Sequence, residues 1–338
     1  MSRPPPEPAS GAQARDRGAP HDDARRSSGT SNDVTRGAGT SPEAAARGGP
    51  KAPSGWRRHR TRVLSAFALF GAALLVLWVG LPLLAPAYLV LTLVALQEYA
   101  TLMNLRGIPI RKRSLWVAAV LTLPASLPVT YPGMEPLIAG VSWREALIAL
   151  FALYLVGLEL ANPNRNSLQA VVFTLFGYLY IPWLFGYIVT LRYTPDGVLG
   201  LWYLTLPTLA VVATDVGAYV FGSIFGRRRL APAISPNKTV EGSLGGLGLA
   251  VVVVALATFL LERYTRLHVD VYDALLFSLL VSSAAQLGDL FESLLKRWAG
   301  VKDAGVFVPG HGGVLDRIDS ALVAFPATYF FVTLVILR

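Results

Sequence analysis

Cysteine is absent from this sequence, and charged residues are scarce. The lack of cysteine excludes disulfide bonds, zinc–thiolate centres and a cysteine nucleophile. Charged residues make up 15% of the 338 residues, whereas soluble proteins carry about 25%. Hydrophobic residues make up 53%. This composition excludes an ordinary soluble domain and indicates a protein with several membrane-spanning helices.

Several familiar sequence patterns are also missing. There is no Walker A loop, no HExxH motif and no GxSxG motif. Their absence argues against a P-loop nucleotidase, a zinc protease of the HExxH type and a serine hydrolase. The sequence shows no internal repeat, which disfavours transporter folds built from inverted repeats.

Large hydrophobic side chains are nearly absent from residues 1–56. Val34 is the one large aliphatic residue of this stretch, and Trp56 is its first aromatic residue. Such a segment cannot bury enough apolar surface to offset its ordering entropy, so we expect a disordered tail and no signal peptide. The remainder divides into N-terminal transmembrane helices over 57–200 and a C-terminal transmembrane catalytic region over 201–338.

Long apolar segments follow the tail. A helix needs about 20 mostly apolar residues to cross the hydrocarbon core, and about nine segments of this kind predict an all-α polytopic membrane protein. Their limits are 63–80, 82–103, 114–131, 144–161, 168–191, 198–224, 243–261, 271–290 and 314–337. Only Gly80, Pro82 and Pro86 mark the boundary between the first two segments.

Lysine and arginine are distributed unevenly between the two predicted faces. If the N-terminus is cytoplasmic, seventeen of them outside the tail lie in inner segments and five in outer segments. This asymmetry follows the positive-inside rule and predicts an odd number of spans with the C-terminus outside. The alanine- and arginine-rich tail is typical of a high-GC bacterium, so we expect a multi-pass protein of the bacterial inner membrane.

The net charge of +9 belongs mainly to the apolar part of the chain. Residues 1–56 contribute a net charge of +2, and the remaining 282 residues contribute +7. Basic residues placed in this way indicate membrane topology and anionic ligands. We therefore expect a lipid bilayer and anionic small molecules as partners, and no nucleic acid.

Acidic residues form a cluster at the predicted inner ends of the C-terminal spans. Its members are Asp215, Glu241, Asp289, Glu292, Asp303, Asp316 and Asp319, among Lys238, Lys296, Arg297, Lys302 and Arg317. Carboxylates near hydrocarbon are costly and usually have a cationic partner or a metal. Such a mixture suits a metal–polyphosphate site. Ion pairing between helix ends is the structural alternative.

The first segment of this cluster ends an apolar run. Asp215 and Tyr219 are four residues apart and share a helix face, while Gly217, Gly222 and Gly226 permit close helix packing.

A polar stretch follows this first segment. The three arginines at 227–229 suit either a phosphate or a lipid-headgroup anchor. Ser235 or Thr239 is placed to cap the next helix, whose N-terminus would suit an anion.

The second segment, 286–297, has a polar helical face. Asp289, Glu292, Ser293 and Lys296 follow the spacing i, i+3, i+4, i+7, which places them on one side of one helix. Two acids, a hydroxyl and a cation in a row would suit metal-bound phosphate. An amphipathic juxtamembrane helix with a solvated face is the alternative.

The third segment, 302–320, contains a Pro-Gly-His-Gly-Gly turn that leads into an apolar helix. Asp316, Asp319 and Ser320 fall on the first turns of this helix, where its dipole favours acids. His311 in the turn is a candidate proton donor, a candidate phosphate ligand or a loop residue without a chemical role.

Together these segments resemble the phosphatidate cytidylyltransferase family, also called CDP-diglyceride synthases. The family signature reads here Ser293-x-Leu295-Lys296-Arg297, then Lys302-Asp303-x-Gly305, then Pro309-x-His311-Gly312-Gly313-Val314-x-Asp316-Arg317-Ile318-Asp319. Val308 stands where Ile, Leu or Phe is usual, and Asn237 replaces a frequent lysine. The likeness is close over 210–325 and extends to 60–200 only through the pattern of spans.

The resemblance implies a reaction, in which CTP and phosphatidate give CDP-diacylglycerol and pyrophosphate. It implies Mg²⁺ as cofactor, and it leaves a second cation and a homodimer open. It places Asp289 and Asp316 at the metal centre, with Asp319, Asp215 and Glu292 as further candidate ligands. The implied phosphate ligands and remaining catalytic candidates are Ser235, Lys238, Thr239, Lys296, Arg297, Lys302, Asp303, His311 and Arg317.

Two other classes of protein are alternatives to this interpretation. A transporter or channel would place its carboxylates deep within several spans, whereas here they lie at predicted span ends. A polyprenol or dolichol kinase, or a CDP-alcohol phosphotransferase, would also act on lipid phosphates. The phosphotransferases carry a DGxxAR signature, which this sequence lacks.

Overall fold

The computed structural model describes residues 71–128, 130–134, 141–263, 269–305 and 312–337. The predicted disordered tail, the start of the first predicted span and His311 lie outside the described residues. Within the described ranges the chain is a bundle of α-helices with one small β-hairpin.

Helices α1 to α6 and a π-helical turn make up the N-terminal half of the described chain. In the N-terminal half, α1 covers residues 71–79, and α2 (Leu81–Leu105), α3 (Lys112–Ala125), α4 (Trp143–Ala161) and α5 (Ser167–Tyr178) follow. A π-helical turn (Leu179–Trp183) leads from α5 towards α6 (Tyr187–Arg192).

The C-terminal half contains the longest helices and the hairpin. Helix α7 (Gly197–Phe225) precedes strands β1 (Arg229–Ala231) and β2 (Ser235–Thr239), which pair antiparallel. Then come α8 (Val240–Glu262), α9 (Val271–Ala299) and α10 (Leu315–Phe331), the last extended by a π-helical turn (Val332–Ile336).

The prediction of an all-α membrane protein is confirmed, with the hairpin as an addition. Each of the nine predicted spans coincides at least in part with a helix of the described chain. Among the described residues, six helical segments are long and apolar enough to cross a membrane. The count of nine is not confirmed, because α3 has only 14 residues and α4 carries Arg144, Glu145 and Glu159 within its 19 residues. Helix α1 is described only over 71–79.

The boundary between the first two predicted spans falls at Gly80. This residue has φ of 80°, a left-handed conformation that glycine adopts without steric cost. The Arg192 Nε donates to the Leu77 carbonyl oxygen at 2.8 Å, and the Tyr193 hydroxyl accepts from the Leu81 backbone N–H at 2.7 Å. The free backbone groups on both sides of the break are therefore satisfied by α6 and the residue that follows it.

Helix α9 is longer than its predicted span. The apolar window ends near residue 290, yet the helix continues to Ala299 and ends at Gly300 with φ of 83°. The extension consists mainly of good helix formers, including Lys296 and Arg297 in the last turn, where cations are favoured by the helix dipole. This extension carries Glu292, Lys296 and Arg297 of the second segment on a rigid helix.

Helices α7 and α8 pack closely along glycines, as the sequence predicts. A Cβ atom on Gly217 would lie 2.8 Å from the Gly245 carbonyl oxygen, and one on Gly246 would lie 2.6 Å from the Thr214 carbonyl oxygen. Only residues without a side chain permit this approach. The packing fixes Asp215, the neighbour of Thr214, relative to α8.

Replacing Gly246 by alanine is expected to destabilise the protein by about 1–3 kcal/mol, because the new methyl group forces α7 away from α8. Gly248 provides a matched control, since a Cβ atom there would meet nothing within 4 Å. Thermal unfolding in detergent should show a lower midpoint for Gly246→Ala and no decrease for Gly248→Ala. Equal midpoints for the two variants would contradict this account of the contact.

Candidate functional site

A cavity of about 480 Å³ lies between α7, α8, α9 and the hairpin. The predicted residues Asp215, Tyr219, Ser235, Lys238, Thr239 and Asp289 all line it, together with Asn237, Ser243 and Gln286. Residues from three separate stretches of sequence, within 214–223, 230–243 and 286–290, thus line one space. We call this space the hairpin cavity.

Lys238 and Asp289 form an ion pair in the wall of the hairpin cavity. Strand β2 provides the lysine and α9 provides the carboxylate. Both side chains are partly exposed, at 28% and 33%, so an anion entering the cavity can reach the ammonium group. Asp289 also interacts electrostatically with Asp215 and Asp319.

A second ion cluster lies one to two helical turns further along α9. The Lys296 ammonium contacts Glu292 on its own helix and the Asp316 Oδ1 of α10 at 2.6 Å. The side chain of Glu292 is fully buried, and those of Lys296 and Asp316 are only 13% and 14% exposed. One cation here neutralises part of the charge of two carboxylates, and the cluster joins α9 to α10.

Backbone contacts bring the beginning of α10 and its preceding turn into this cluster. The Asp316 Oδ2 accepts hydrogen bonds from the Gly313 N–H at 2.7 Å and the Ala304 N–H at 3.4 Å. Gly312 has φ of 77°, and a Cβ atom on it would lie 2.8 Å from the same oxygen. The glycines of the third segment thus let the backbone wrap around Asp316.

Asp319 lies buried one turn further into α10. Its Oδ1 accepts from the Ser320 N–H at 2.6 Å. Gly288 lets α9 approach closely here, since a Cβ atom on it would lie 2.4 Å from the Asp319 carbonyl oxygen. Asp289 is the next residue along α9, so this contact explains why the two carboxylates interact.

The hairpin is tied to the helices at both ends. The Glu241 Oε2, in the first turn of α8, accepts from the backbone N–H groups of Arg227 and Arg228 at 3.0 and 3.1 Å. The Arg297 Nε donates to the Ile234 carbonyl oxygen at 3.2 Å. Thr239 is the N-cap of α8, with its hydroxyl accepting from the Gly242 N–H at 3.1 Å, as the sequence predicts. Ser235 lines the cavity instead.

The remaining predicted residues lie at the edge of the site, except His311, which is outside the described residues. Lys302, Asp303 and Arg317 are exposed to solvent near the second cluster. Arg297 is exposed and ties the hairpin to α9. The catalytic roles assigned to these residues, and to His311, which lies outside the described residues, stay predictions.

No three metal-ligating side chains of the described residues lie close enough together to hold an ion by themselves. The metal assignments of Asp215, Asp289, Glu292, Asp316 and Asp319 therefore stay predictions as well. Three of these carboxylates differ in the lysine that they contact. Glu292 and Asp316 both contact Lys296, whereas Asp289 contacts Lys238.

Two residues of the N-terminal half contact this region without having been predicted. Glu98 of α2 is buried and accepts backbone hydrogen bonds from Val314 and Leu315. Tyr180, in the π-helical turn, has a buried hydroxyl without a hydrogen-bond partner, in electrostatic range of Asp289 and Asp319. Glu98 is an acid within a predicted span, where acids are scarce, and this is the feature of the sequence that could have indicated a role for it. Nothing in the local sequence indicates that Tyr180 lies near the site.

Comparisons with known proteins agree with this arrangement. Residues 60–335 match the cytidylyltransferase family, which is most of the chain and all of the site described above. The chain belongs to the cytidylyltransferase family. The motif resemblance is close only over 210–325. The family match is longer and includes the N-terminal helices.

Curated relatives of this cytidylyltransferase-family chain carry a more specific name. A phosphatidate cytidylyltransferase from Bacillus subtilis is 39% identical over 209 residues, which is 62% of this chain and 74% of the relative. One from Staphylococcus epidermidis is 34% identical over 247 residues, covering 73% of this chain and 88% of the relative. The expected family is thus confirmed.

Proposed function

We propose that this chain transfers CMP from CTP to phosphatidate and releases pyrophosphate, giving CDP-diacylglycerol for phospholipid synthesis. The observation that carries the proposal is the Lys238–Asp289 pair in the wall of the hairpin cavity, beside the Lys296–Asp316 pair of the signature. Membership of the cytidylyltransferase family and the names of its relatives support the same reaction.

The reaction is a phosphoryl substitution. A phosphate oxygen of phosphatidate forms a bond to the α-phosphorus of CTP, and the bond from that phosphorus to the bridging oxygen breaks, so that pyrophosphate leaves with the electron pair. Phosphatidate is already anionic at neutral pH, so the protein need not provide a covalent nucleophile. Its task is to bring anions together in line and to neutralise their charge.

Cations of the site would bind the reacting phosphates. Lys238 faces the cavity and would bind a triphosphate oxygen after exchanging its contact with Asp289. Lys302, Arg297 and Arg317 are exposed near the second cluster and would bind phosphate from the solvent side. Charge-assisted hydrogen bonds of this kind are about twice as strong as neutral ones.

The carboxylates around the cavity fit a magnesium ion by their chemistry. Mg²⁺ prefers hard oxygen ligands and is commonly bound by one or two carboxylates together with substrate phosphates. The two ammonium groups of Lys238 and Lys296 face five carboxylates, which are Asp215, Asp289, Glu292, Asp316 and Asp319. A divalent ion held among these carboxylates would offset the repulsion between them and a bound polyanion.

We assign carboxylates to the magnesium ion according to the hydrogen bonds and ion pairs that each one already makes within the protein. Asp289 and Asp215 line the cavity, and Asp319 interacts electrostatically with both. Asp316 and Glu292 are engaged with Lys296, and Asp316 also accepts two backbone N–H groups. We therefore assign Asp289 and Asp215 as the magnesium ligands, where the ion would supply positive charge to the triphosphate oxygens. Asp316 would then organise the turn before α10.

The location of the site fits the same proposal. The C-terminal end of α9, the N-terminal end of α10 and the hairpin meet at one end of the helical bundle. Of the described basic residues that the positive-inside rule assigns to the cytoplasm, five lie at that end, which are Lys238, Lys296, Arg297, Lys302 and Arg317. CTP would enter from the cytoplasm, and phosphatidate from the adjacent leaflet of a bacterial inner membrane.

Release of pyrophosphate tests the proposal in detergent micelles. With CTP, Mg²⁺ and phosphatidate, pyrophosphate should form at the rate at which CDP-lipid forms, and omission of phosphatidate should abolish both. Diacylglycerol and a polyprenol serve as control acceptors, because a lipid kinase would phosphorylate them and release CDP. Turnover of these acceptors in place of phosphatidate would contradict the proposed reaction.

A further inference from the structure

Glu98 of α2 bonds to the third segment across 216 residues of sequence. Its two carboxylate oxygens accept hydrogen bonds from the backbone N–H groups of Val314 at 2.9 Å and Leu315 at 2.8 Å. These N–H groups begin α10, where the first turn has no intrahelical acceptors for them. Glu98 is only 8% exposed, so these bonds lie in an environment with little competing water.

The same carboxylate lies close to Gly305 and Gly313, which come before and after residues 306–311 in the sequence. A Cβ atom on Gly305 would lie 2.5 Å from the Glu98 Oε1, and one on Gly313 would lie 2.6 Å from its Oε2. Real Cβ atoms do not come so close to an oxygen. The absence of a side chain at these two glycines therefore permits one buried carboxylate to pack against both Gly305 and Gly313.

A second contact fixes the same helix at the site. The Arg106 guanidinium, directly after α2, donates to the Trp298 carbonyl oxygen near the end of α9 and lies 5.4 Å from the centre of the Trp298 ring. Helix α2 is thus attached both to the end of α9 and to the beginning of α10. These are the two elements that carry Lys296 and Asp316.

We propose that Glu98 is a positioning residue, which sets the place of Asp316 and Asp319 by accepting hydrogen bonds from the N–H groups that begin α10 and by packing against Gly305 and Gly313. The negative charge also favours this position at a helix N-terminus. Glu98 does not line the hairpin cavity, so it acts on the phosphates only through the groups of α10. The kinetic part of this inference rests on the proposed function.

Glu98→Gln retains the side-chain volume but replaces one acceptor oxygen by a donor. One of the two backbone N–H groups then loses its partner, and the first turn of α10 shifts. A misplacement of about 1 Å that is caused by a substitution away from the reacting atoms can cost about 100-fold in rate, so we expect kcat to fall about 10- to 100-fold. KM for CTP should change by less than about threefold, because the hairpin cavity is untouched.

Glu159→Gln is the matched control. Glu159 is also a buried glutamate, it pairs with Arg111, and it lies on α4 outside the site. If Glu98 acts only through general stability, both variants should lower the amount of folded protein and leave kcat of the folded fraction unchanged. That result, or an equal loss of kcat in Glu159→Gln, would overturn the inference.

A compensating pair tests the contact itself. Gly313→Ala should lower kcat because its methyl group displaces the Glu98 carboxylate, and Glu98→Asp should lower it by withdrawing that carboxylate. In the double variant the shorter side chain leaves room for the methyl group. We expect its kcat to exceed by about tenfold the value that multiplying the two single effects gives. Multiplicative behaviour would contradict a direct contact.

Hydrogen exchange separates this inference from the proposed reaction. Amides of the segment 312–320 should exchange faster in Glu98→Gln than in the unsubstituted protein, and should be unchanged in Glu159→Gln. If phosphatidate turnover is absent but this difference is found, the proposed function fails and the positioning role stands. If turnover is present and exchange and kcat are unchanged, the positioning role fails.

Discussion

Replacing Asp289 by asparagine is expected to lower kcat/KM for CTP about 100- to 1,000-fold while the protein still inserts and folds. The substitution retains the shape of the side chain and removes its charge. Lys238 then loses its ion-pair partner, and the cavity loses the carboxylate that interacts with both Asp215 and Asp319. Losing one preorganised electrostatic group at a reacting centre commonly costs a factor of this size.

Asp273→Asn is the control for this prediction. Asp273 lies in the first turn of the same helix, at the end opposite to the site. Its substitution should change kcat/KM by less than about threefold, as for most positions away from a site. Titration with Mg²⁺ adds a second readout, because the half-saturating concentration should rise only in Asp289→Asn. Near-normal turnover of Asp289→Asn would show that the assignment of this carboxylate is wrong.

Replacing Lys296 by methionine is expected to have the largest effect on stability. Its ammonium group contacts both the fully buried Glu292 and Asp316. Removing one partner of a buried ion pair commonly costs about 3–5 kcal/mol, because the remaining charge stays buried without compensation. Thermal unfolding in detergent should show a midpoint clearly below that of the unsubstituted protein, and turnover should be lost.

A double variant separates the structural role of Lys296 from its proposed role in phosphate binding. Lys296→Met with Glu292→Gln removes the cation and one carboxylate together, so much of the lost stability should return. Turnover should not return if Lys296 also serves the phosphates. Recovery of both stability and kcat would show that Lys296 is only an ion-pair partner, and failure to recover stability would contradict the assigned role of Glu292.

The positions of the helices and of the charged cluster could be predicted from the sequence for one physical reason. Charges are rare in this chain, so Asp215 and Asp289, which lie near the ends of apolar stretches, stand out. Helical spacing then places Glu292 and Lys296 on one face, and the structure joins them. Local spacing does not show whether these charged residues pair with one another or bind a ligand, because both roles use the same residue types.

The contacts between distant segments could not be predicted in this way. The segment 229–239 contains Arg229, Pro232, Pro236 and Asn237 and lacks alternating apolar residues, so nothing in it indicates strands. The pairing of Lys238 with Asp289 joins residues on different elements. Glu98 bonds to residues more than 200 positions away. Only the packing of α2 against the α9–α10 pair brings it to the turn.

Transfer of label from CTP to lipid tests the central claim most directly. Two parallel reactions in phosphatidate micelles would contain Mg²⁺ and CTP labelled with ³²P at either the α- or the γ-phosphate. A cytidylyltransferase moves the α-label into the lipid phase, dependent on Mg²⁺, and leaves the γ-label in pyrophosphate. Label from the γ-phosphate in the lipid would identify a kinase, and absence of both labels from the lipid of a folded protein would contradict the proposed function.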